Sequence, residues 1–286
     1  DWEHQREISN RLPDDAELVI GLGGGRALDA SKFVALDKGV PLIQVPSIVS
    51  TGAIIHGVLA KFIGRELVGK TDEWPWVDCE YVLVDYDLVL EAPYYLNTAG
   101  LGDILCGYAG LAEWRRRARN GQGPPCDEAA MATVIEYHEA FTRRLEETLD
   151  DAAKLTNGSV HHIMTCLQER DGRALRHPGM RSGDHPFWSA LELVNDRSWI
   201  HGELVALGAL IIAWQCDAQP GVLIDRLDRC RVRRRPTEMG LDREQLRKGL
   251  AFAPDYMEQR DIDSILRHEP VNGAQFEALW EFLETG

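Results

Sequence analysis

The stretch Ala16-Glu17-Leu18-Val19-Ile20-Gly21-Leu22-Gly23-Gly24-Gly25-Arg26-Ala27-Leu28-Asp29 decides the fold. Its first six residues are a short apolar, β-branched run that reads as a strand ending on glycine. Arg26–Leu36 then reads as a helix, with Ala27, Leu28, Ala30, Phe33 and Val34 suited to a buried face. Glycines between a strand and a helix let a ligand approach the backbone, and the free N–H groups at a helix start favour an anion. The usual dinucleotide fingerprint is not met, because its third glycine position falls on Arg26, and no Gly-Lys-Ser/Thr of a Walker loop follows. The competing reading is a tight turn without a ligand. It leaves unexplained the chain entropy that three consecutive glycines lose on folding.

Working outward, Leu42–Pro46 and Tyr81–Asp85 read as two further buried strands, and Gly64-Arg65 as the tip of a hairpin. Strand, helix, strand with short connections is the pattern of a parallel sheet with right-handed crossovers. After Ala92-Pro93 the texture changes. Thr98–Arg119 reads as one long helix and Asp127–Leu149 as another. Helical patterns follow over Leu155–Arg170, His185–Asn195, Trp199–Cys216, Gly221–Cys230, Asp242–Ala251 and Ala274–Leu283. The expected organisation is an α/β dinucleotide-binding domain over residues 1–92, then an all-α domain over residues 93–286 that binds metal and substrate.

Of 286 residues, 31 are Lys or Arg and 46 are Asp or Glu, a formal charge of −15. A surface that acidic repels a phosphate backbone and an anionic bilayer, so neither nucleic acid nor membrane is an expected partner. A small-molecule substrate is, since one local pocket or metal can attract an anion. No apolar run reaches the roughly 18 residues of a transmembrane helix, and no signal peptide is visible at Asp1-Trp2-Glu3-His4. The six cysteines are scattered without a CxxC pair, which points to free thiols and a cytoplasmic setting. Arg115-Arg116-Arg117 and Arg231–Arg235 read as solvated helix faces or ends.

Three segments look like parts of one metal site: Ala99-Gly100-Leu101-Gly102-Asp103, Ser182-Gly183-Asp184-His185 and His201-Gly202-Glu203. One carboxylate and two imidazoles suit a catalytic Zn, Ni or Fe ion with a position left open for substrate. His161-His162 is a decoy, because neighbours on a helix point about 100° apart and do not easily share an ion.

Together these segments resemble the iron-dependent alcohol dehydrogenase, glycerol dehydrogenase and dehydroquinate synthase superfamily, nearest its sn-glycerol-1-phosphate dehydrogenase branch. The resemblance rests on Gly23-Gly24-Gly25 with Asp29 and Lys32, on Pro46-Ser47-Ile48-Val49-Ser50-Thr51, on Ala99 to Asp103, and on His201 to Gly208. Gly102-Asp103-Ile104-Leu105 running on to Ala112-Glu113-Trp114-Arg115, and the stretch from Met239-Gly240-Leu241 to Leu266, resemble the glycerol-phosphate branch. The resemblance implies a dehydroquinate synthase-like fold with a Rossmann-like parallel sheet that is incomplete at its start here, since the family places a further strand–helix unit ahead of the glycine turn. It implies Asp103, His185 and His201 as catalytic metal ligands. It implies cofactor contacts from Gly23, Gly24, Gly25, Asp29, Ser47, Ser50 and Thr51 to NAD or NADP, and a homodimer.

The chemistry so implied is metal-dependent hydride transfer between NAD(P) and a small polyol or polyol phosphate, with sn-glycerol 1-phosphate/dihydroxyacetone phosphate the nearest substrate pair. Gly52, with Ala53 after it, stands where the glycerol and glycerol-phosphate branches place an aspartate, and His56 is the candidate to replace it at the substrate. Ser189 stands where the family often has a further histidine. Two alternatives accompany this reading: a dehydroquinate synthase-type cyclase, and a catalytically impaired homologue acting as a binding protein.

Overall fold

The computed structural model describes residues 1–68, 75–172 and 177–286. Strands β1 (Val19–Gly23), β2 (Leu42–Pro46) and β5 (Tyr81–Val82) form a parallel sheet in the order β1-β2-β5, with Ile20 opposite Ile43 and Ile43 opposite Tyr81. The hairpin is present as β3 (Phe62–Ile63) antiparallel to β4 (Glu66–Leu67). Helix α2 (Gly25–Lys38) links β1 to β2 and ends on Gly39, whose φ of +67° suits a residue without a Cβ. Helix α1 (Trp2–Ser9), which the sequence reading did not anticipate, lies beside α2. Val19, Val34, Ala35, Leu42 and Val77 form a small core with Ile8 and Leu12 on this face of the sheet. The other face leaves Leu18, Ile20, Leu22, Tyr81 and Leu83 exposed.

A short helix α3 (Tyr86–Glu91) follows the sheet, and beyond Pro93 the described chain is helical, as expected: α4 (Tyr94–Leu105), α5 (Gly107–Arg119), α6 (Glu128–Thr148), α7 (Asn157–Gly172), α8 (Asp184–Asn195), α9 (His201–Gln215), α10 (Pro220–Arg229), α11 (Arg243–Glu258), α12 (Ile265–His268) and α13 (Gly273–Thr285). The single helix expected over Thr98–Arg119 is two. Cys106 closes α4, and the chain restarts at Gly107, where a Cβ would press on the His138 ring. The third strand stops at Val82, because the Asp85 side chain caps α3 by accepting from the Leu88 N–H at 3.1 Å.

Helix α9 explains the arrangement of the rest. From Gly202 to Ala213 every residue is buried, so this helix has no solvent face and runs through the main core. Helices α4, α5 and α8 pack directly on it.

The two arginine runs are solvated only in part: Arg115 is exposed, but their other members are drawn inward. Arg116 and Arg117 are buried beside Glu113, which is fully buried and also accepts from Ser264 Oγ at 2.6 Å and the Ile265 N–H at 3.0 Å. Arg117 further donates to the carbonyls of Gly179 and Arg181. In the second run, Arg233 grips Glu203 through two bonds of 2.7 and 2.9 Å while lying over the Tyr95 ring, and buried Arg234 grips Asp228. A buried guanidinium must be paired, so these residues tie helices together. None of the six cysteines is in a disulfide, and four of them are buried. Among the described residues no helix is long and apolar enough to cross a membrane.

His138 on α6 is buried between Tyr108 (ring centroids 5.0 Å) and Phe141 (5.6 Å). Burial, and then the Arg226 charge, push its imidazole down from 6.5 to about 3. The unfolded chain therefore takes up a proton between those values that the fold refuses, and stability falls as pH drops from about 6.5 toward 3. In urea unfolding between pH 7 and 4, His138→Phe should lose less stability on acidification than the parent protein. Equal slopes would contradict this account.

Candidate metal and nucleotide site

Asp103, His185 and His201 come from three helices. Asp103 lies near the end of α4, His185 is the second residue of α8, and His201 opens α9. The Nε2 atoms of both histidines lie 3.4 Å from Asp103 Oδ1. The three donor atoms all fall within 4.8 Å of one another. The Asp103 side chain is 2% exposed, His185 37% and His201 24%, so the carboxylate forms the floor and the imidazoles the accessible rim. One carboxylate oxygen and two imidazole nitrogens converging on one point, with a rim open above, is a donor set that fits a catalytic divalent ion such as zinc or iron.

The convergence depends on glycine. A Cβ on Gly202 would overlap the Ala99 carbonyl, one on Gly102 would overlap the Gly202 carbonyl, and one on Gly100 would overlap the Val49 carbonyl. Helices α4 and α9 therefore cross backbone to backbone beside the ligands, with the 49–52 loop pressed on α4. That loop completes the carboxylate's setting. Asp103 Oδ2 accepts from Thr51 Oγ1 at 3.2 Å and from the Gly52 N–H at 3.3 Å. At the position where an aspartate was the family expectation, this chain thus turns a backbone donor to Asp103.

His185 is held from its other nitrogen. Its Nδ1 lies 2.8 Å from Asp184 Oδ2, and Asp184 Oδ1 accepts from the Ser182 hydroxyl. Burial works against charge on the imidazole, but Asp184 and then Asp103 outweigh it and raise His185 to about 9. Burial likewise opposes ionisation of Asp184, yet His185, Ser182 and the Cys106 thiol hold its carboxyl below the usual range. Cys106, Asp184 and His185 form a second donor group on this far side of the ring. Trp188 meets the His201 ring edge to face at 4.4 Å and walls the rim. Sequence reasoning assigned no role to Asp184 or Trp188. The signal for Asp184 was its adjacency to His185.

The glycine turn lies beside this cluster. Gly24 caps α2 without a side-chain bond, and Gly23 has φ +142°. A Cβ on Gly23 would meet Ala27, one on Gly24 would meet Ile48, and one on Gly25 would meet Thr51 Cγ2 at 3.3 Å. Thr51 therefore touches both the glycine turn and Asp103. The Ser47 N–H donates to the Gly23 carbonyl at 2.9 Å, while Ser50 is buried with its carbonyl toward Gly202. Asp29 pairs with Lys32, which is wholly buried and also donates to the Ala53 and Val58 carbonyls, fastening α2 to the loop after Thr51. Burial raises the Asp29 carboxyl, against the pull of Lys32 and, more weakly, of His201. His56 packs edge to face on Trp76, with ring centroids 5.5 Å apart.

Residues 1–93 match the family model of the iron-containing alcohol dehydrogenases. The glycerol-1-phosphate dehydrogenase [NAD(P)+] of Hyperthermus butylicus is 27% identical over 220 residues, covering 73% of this chain and 59% of that protein. The protein of the same name from Picrophilus torridus is 25% identical over 244 residues, covering 82% of this chain and 66% of its own length. The chain thus spans less than two thirds of the length of these two relatives. Among solved structures, a probable glycerol dehydrogenase from Sinorhizobium meliloti 1021 superposes with a TM-score of 0.67 at 22% identity, over 100% of this chain and 82% of that one. This last likeness speaks to the fold.

Gly202→Ala should cost about 1–3 kcal/mol or more in urea unfolding, since the α4–α9 crossing has no room for a methyl. Gly221→Ala on α10, where a Cβ would meet nothing within 4 Å, serves as the control and should be neutral or mildly stabilising. Equal effects would contradict the crossing as the constraint.

Proposed function

From a chain related to the iron-containing alcohol dehydrogenases and the glycerol dehydrogenases, we propose a metal-dependent NAD(P)-linked oxidoreductase acting on a small polyol phosphate. The nearest substrate pair is sn-glycerol 1-phosphate and dihydroxyacetone phosphate, a reading supported by the similarity to glycerol-1-phosphate dehydrogenases. The observation that carries the reading is Thr51. Its methyl lies against the glycine turn, and its hydroxyl bonds the Asp103 carboxylate. A nucleotide on the first and an ion on the second would be neighbours.

Asp103, His185 and His201 would hold the ion, and Gly23, Gly24 and Gly25 would admit the nucleotide's phosphates. When bound, the ion would supply Lewis acidity toward the substrate's hydroxyl or carbonyl oxygen, and the nicotinamide would supply or accept hydride. The protein's own share is placement. Thr51 and Gly52 fix the carboxylate through Oδ2, while Oδ1 faces the Nε2 atoms of His185 and His201. Glu203, clamped by Arg233, fixes the first turn of α9 and so the direction of His201. Trp188 covers the flank of His201 and keeps water from that side. The first-turn N–H groups of α2 offer an anion the donors that the acidic surface lacks.

With dihydroxyacetone phosphate and NADH or NADPH, the protein should oxidise the cofactor, and a chelator should abolish the reaction until divalent metal is restored. Gly24→Asp keeps a good helix cap but sets a carboxylate in the phosphate path. It should lose nucleotide binding, followed by fluorescence titration, while its thermal unfolding stays close to the parent. Metal-independent turnover, or nucleotide binding indifferent to Gly24→Asp, would overturn the reading.

A further inference from the structure

The proposed ligand set leaves one strong group unused. Asp184 sits one residue before His185, its side chain 3% exposed, and faces the nitrogen of the imidazole that the ion would not use. We infer that Asp184 is the positioning residue of the metal centre: it fixes the His185 ring as the Nδ1–H tautomer and directs the Nε2 lone pair at the ion. This rests on the metal reading above and adds to it a residue outside the ligand triad.

The geometry is that of a carboxylate–histidine–metal relay. Asp184 Oδ2 lies 2.8 Å from His185 Nδ1, whereas Asp103 Oδ1 lies 3.4 Å from Nε2 of the same ring. The two carboxylates therefore address opposite nitrogens. An imidazole that donates N–H on one side offers its lone pair on the other, and the charged acceptor makes that lone pair more basic. A single α8 turn carries both residues, so the acceptor cannot drift from the ring it serves.

Asp184 is itself held rigidly, as a positioning residue must be. The Ser182 hydroxyl donates to its second oxygen. Its backbone lies against Gly208 of α9, where a Cβ would come within 3.1 Å of Asp184 Cα. The preceding Gly183 abuts Ser264, whose hydroxyl donates to buried Glu113 at 2.6 Å. Arg117, beside Glu113, holds the Gly179 and Arg181 carbonyls just upstream. The buried ion-pair network thus ends at the turn that carries Asp184, which gives the unexpected burial of Arg116 and Arg117 a purpose at the site.

The test uses cobalt(II) binding, read by visible absorption and by competition with a chromophoric chelator, on the parent protein, Asp184→Asn, Asp184→Ala and His185→Ala. Asp184→Ala should bind cobalt about 10–100-fold more weakly. Asp184→Asn, which keeps an acceptor but not the charge, should fall between it and the parent, with an altered absorption band. Thermal unfolding of the metal-free proteins separates this from loss of fold. If Asp184→Ala binds like the parent while His185→Ala does not bind, the positioning role is overturned and the metal reading stands. If the parent itself takes up no cobalt, or His185→Ala binds as well as the parent, both are overturned.

Discussion

The whole site depends on how closely α4 and α9 approach. Asp103 and His201 face one point only because Gly102 and Gly202 let two helix backbones touch at a place where any side chain would force them apart. Helix α9 tolerates this because from Gly202 to Ala213 it is buried on every side and, Glu203 apart, apolar, so the packing gained along its length offsets a crossing with no side-chain cushion. The third donor arrives from α8, which is set against α9 at another glycine, Gly208. Three glycines on two helices thus determine where a carboxylate and two imidazoles meet.

Polar groups then decide how those donors point. Each has a separate restraint: Thr51 and Gly52 on Asp103, Asp184 on His185, and the Arg233–Glu203 clamp two residues beyond His201. Thr51 also meets the glycine turn, and Lys32 ties the helix that follows that turn to the loop carrying Thr51. The α/β part and the helical part share one loop, and the proposed nucleotide and metal positions lie on its two sides.

Much of this was legible in the chain. The strand–glycine–helix unit, the parallel order of the strands and the helical remainder follow from local periodicity and turn residues. The grouping of Asp103, His185 and His201 was legible as a set of residue types, and the family resemblance chose among nine histidines. What local pattern could not carry was pairing across long separations. Arg116 and Arg117 read as surface because nothing near them announces Glu113's second partner at Ser264, 151 residues away. Nothing local announces the end of α4 at Cys106 or the contact of the His56 ring with Trp76. Asp184 was visible but unranked, because its role depends on which nitrogen of a neighbouring ring it faces.

The central claim is that one carboxylate and two imidazoles bind a single divalent ion at the α4–α8–α9 junction. X-ray absorption at the zinc edge of zinc-loaded protein tests it most directly. The account predicts one zinc per chain with two imidazole nitrogens and a carboxylate oxygen at about 2.0–2.2 Å, and a halved imidazole signal or loss of the bound zinc in His201→Ala. A zinc shell without imidazole scattering, or one unchanged in His201→Ala, would contradict it.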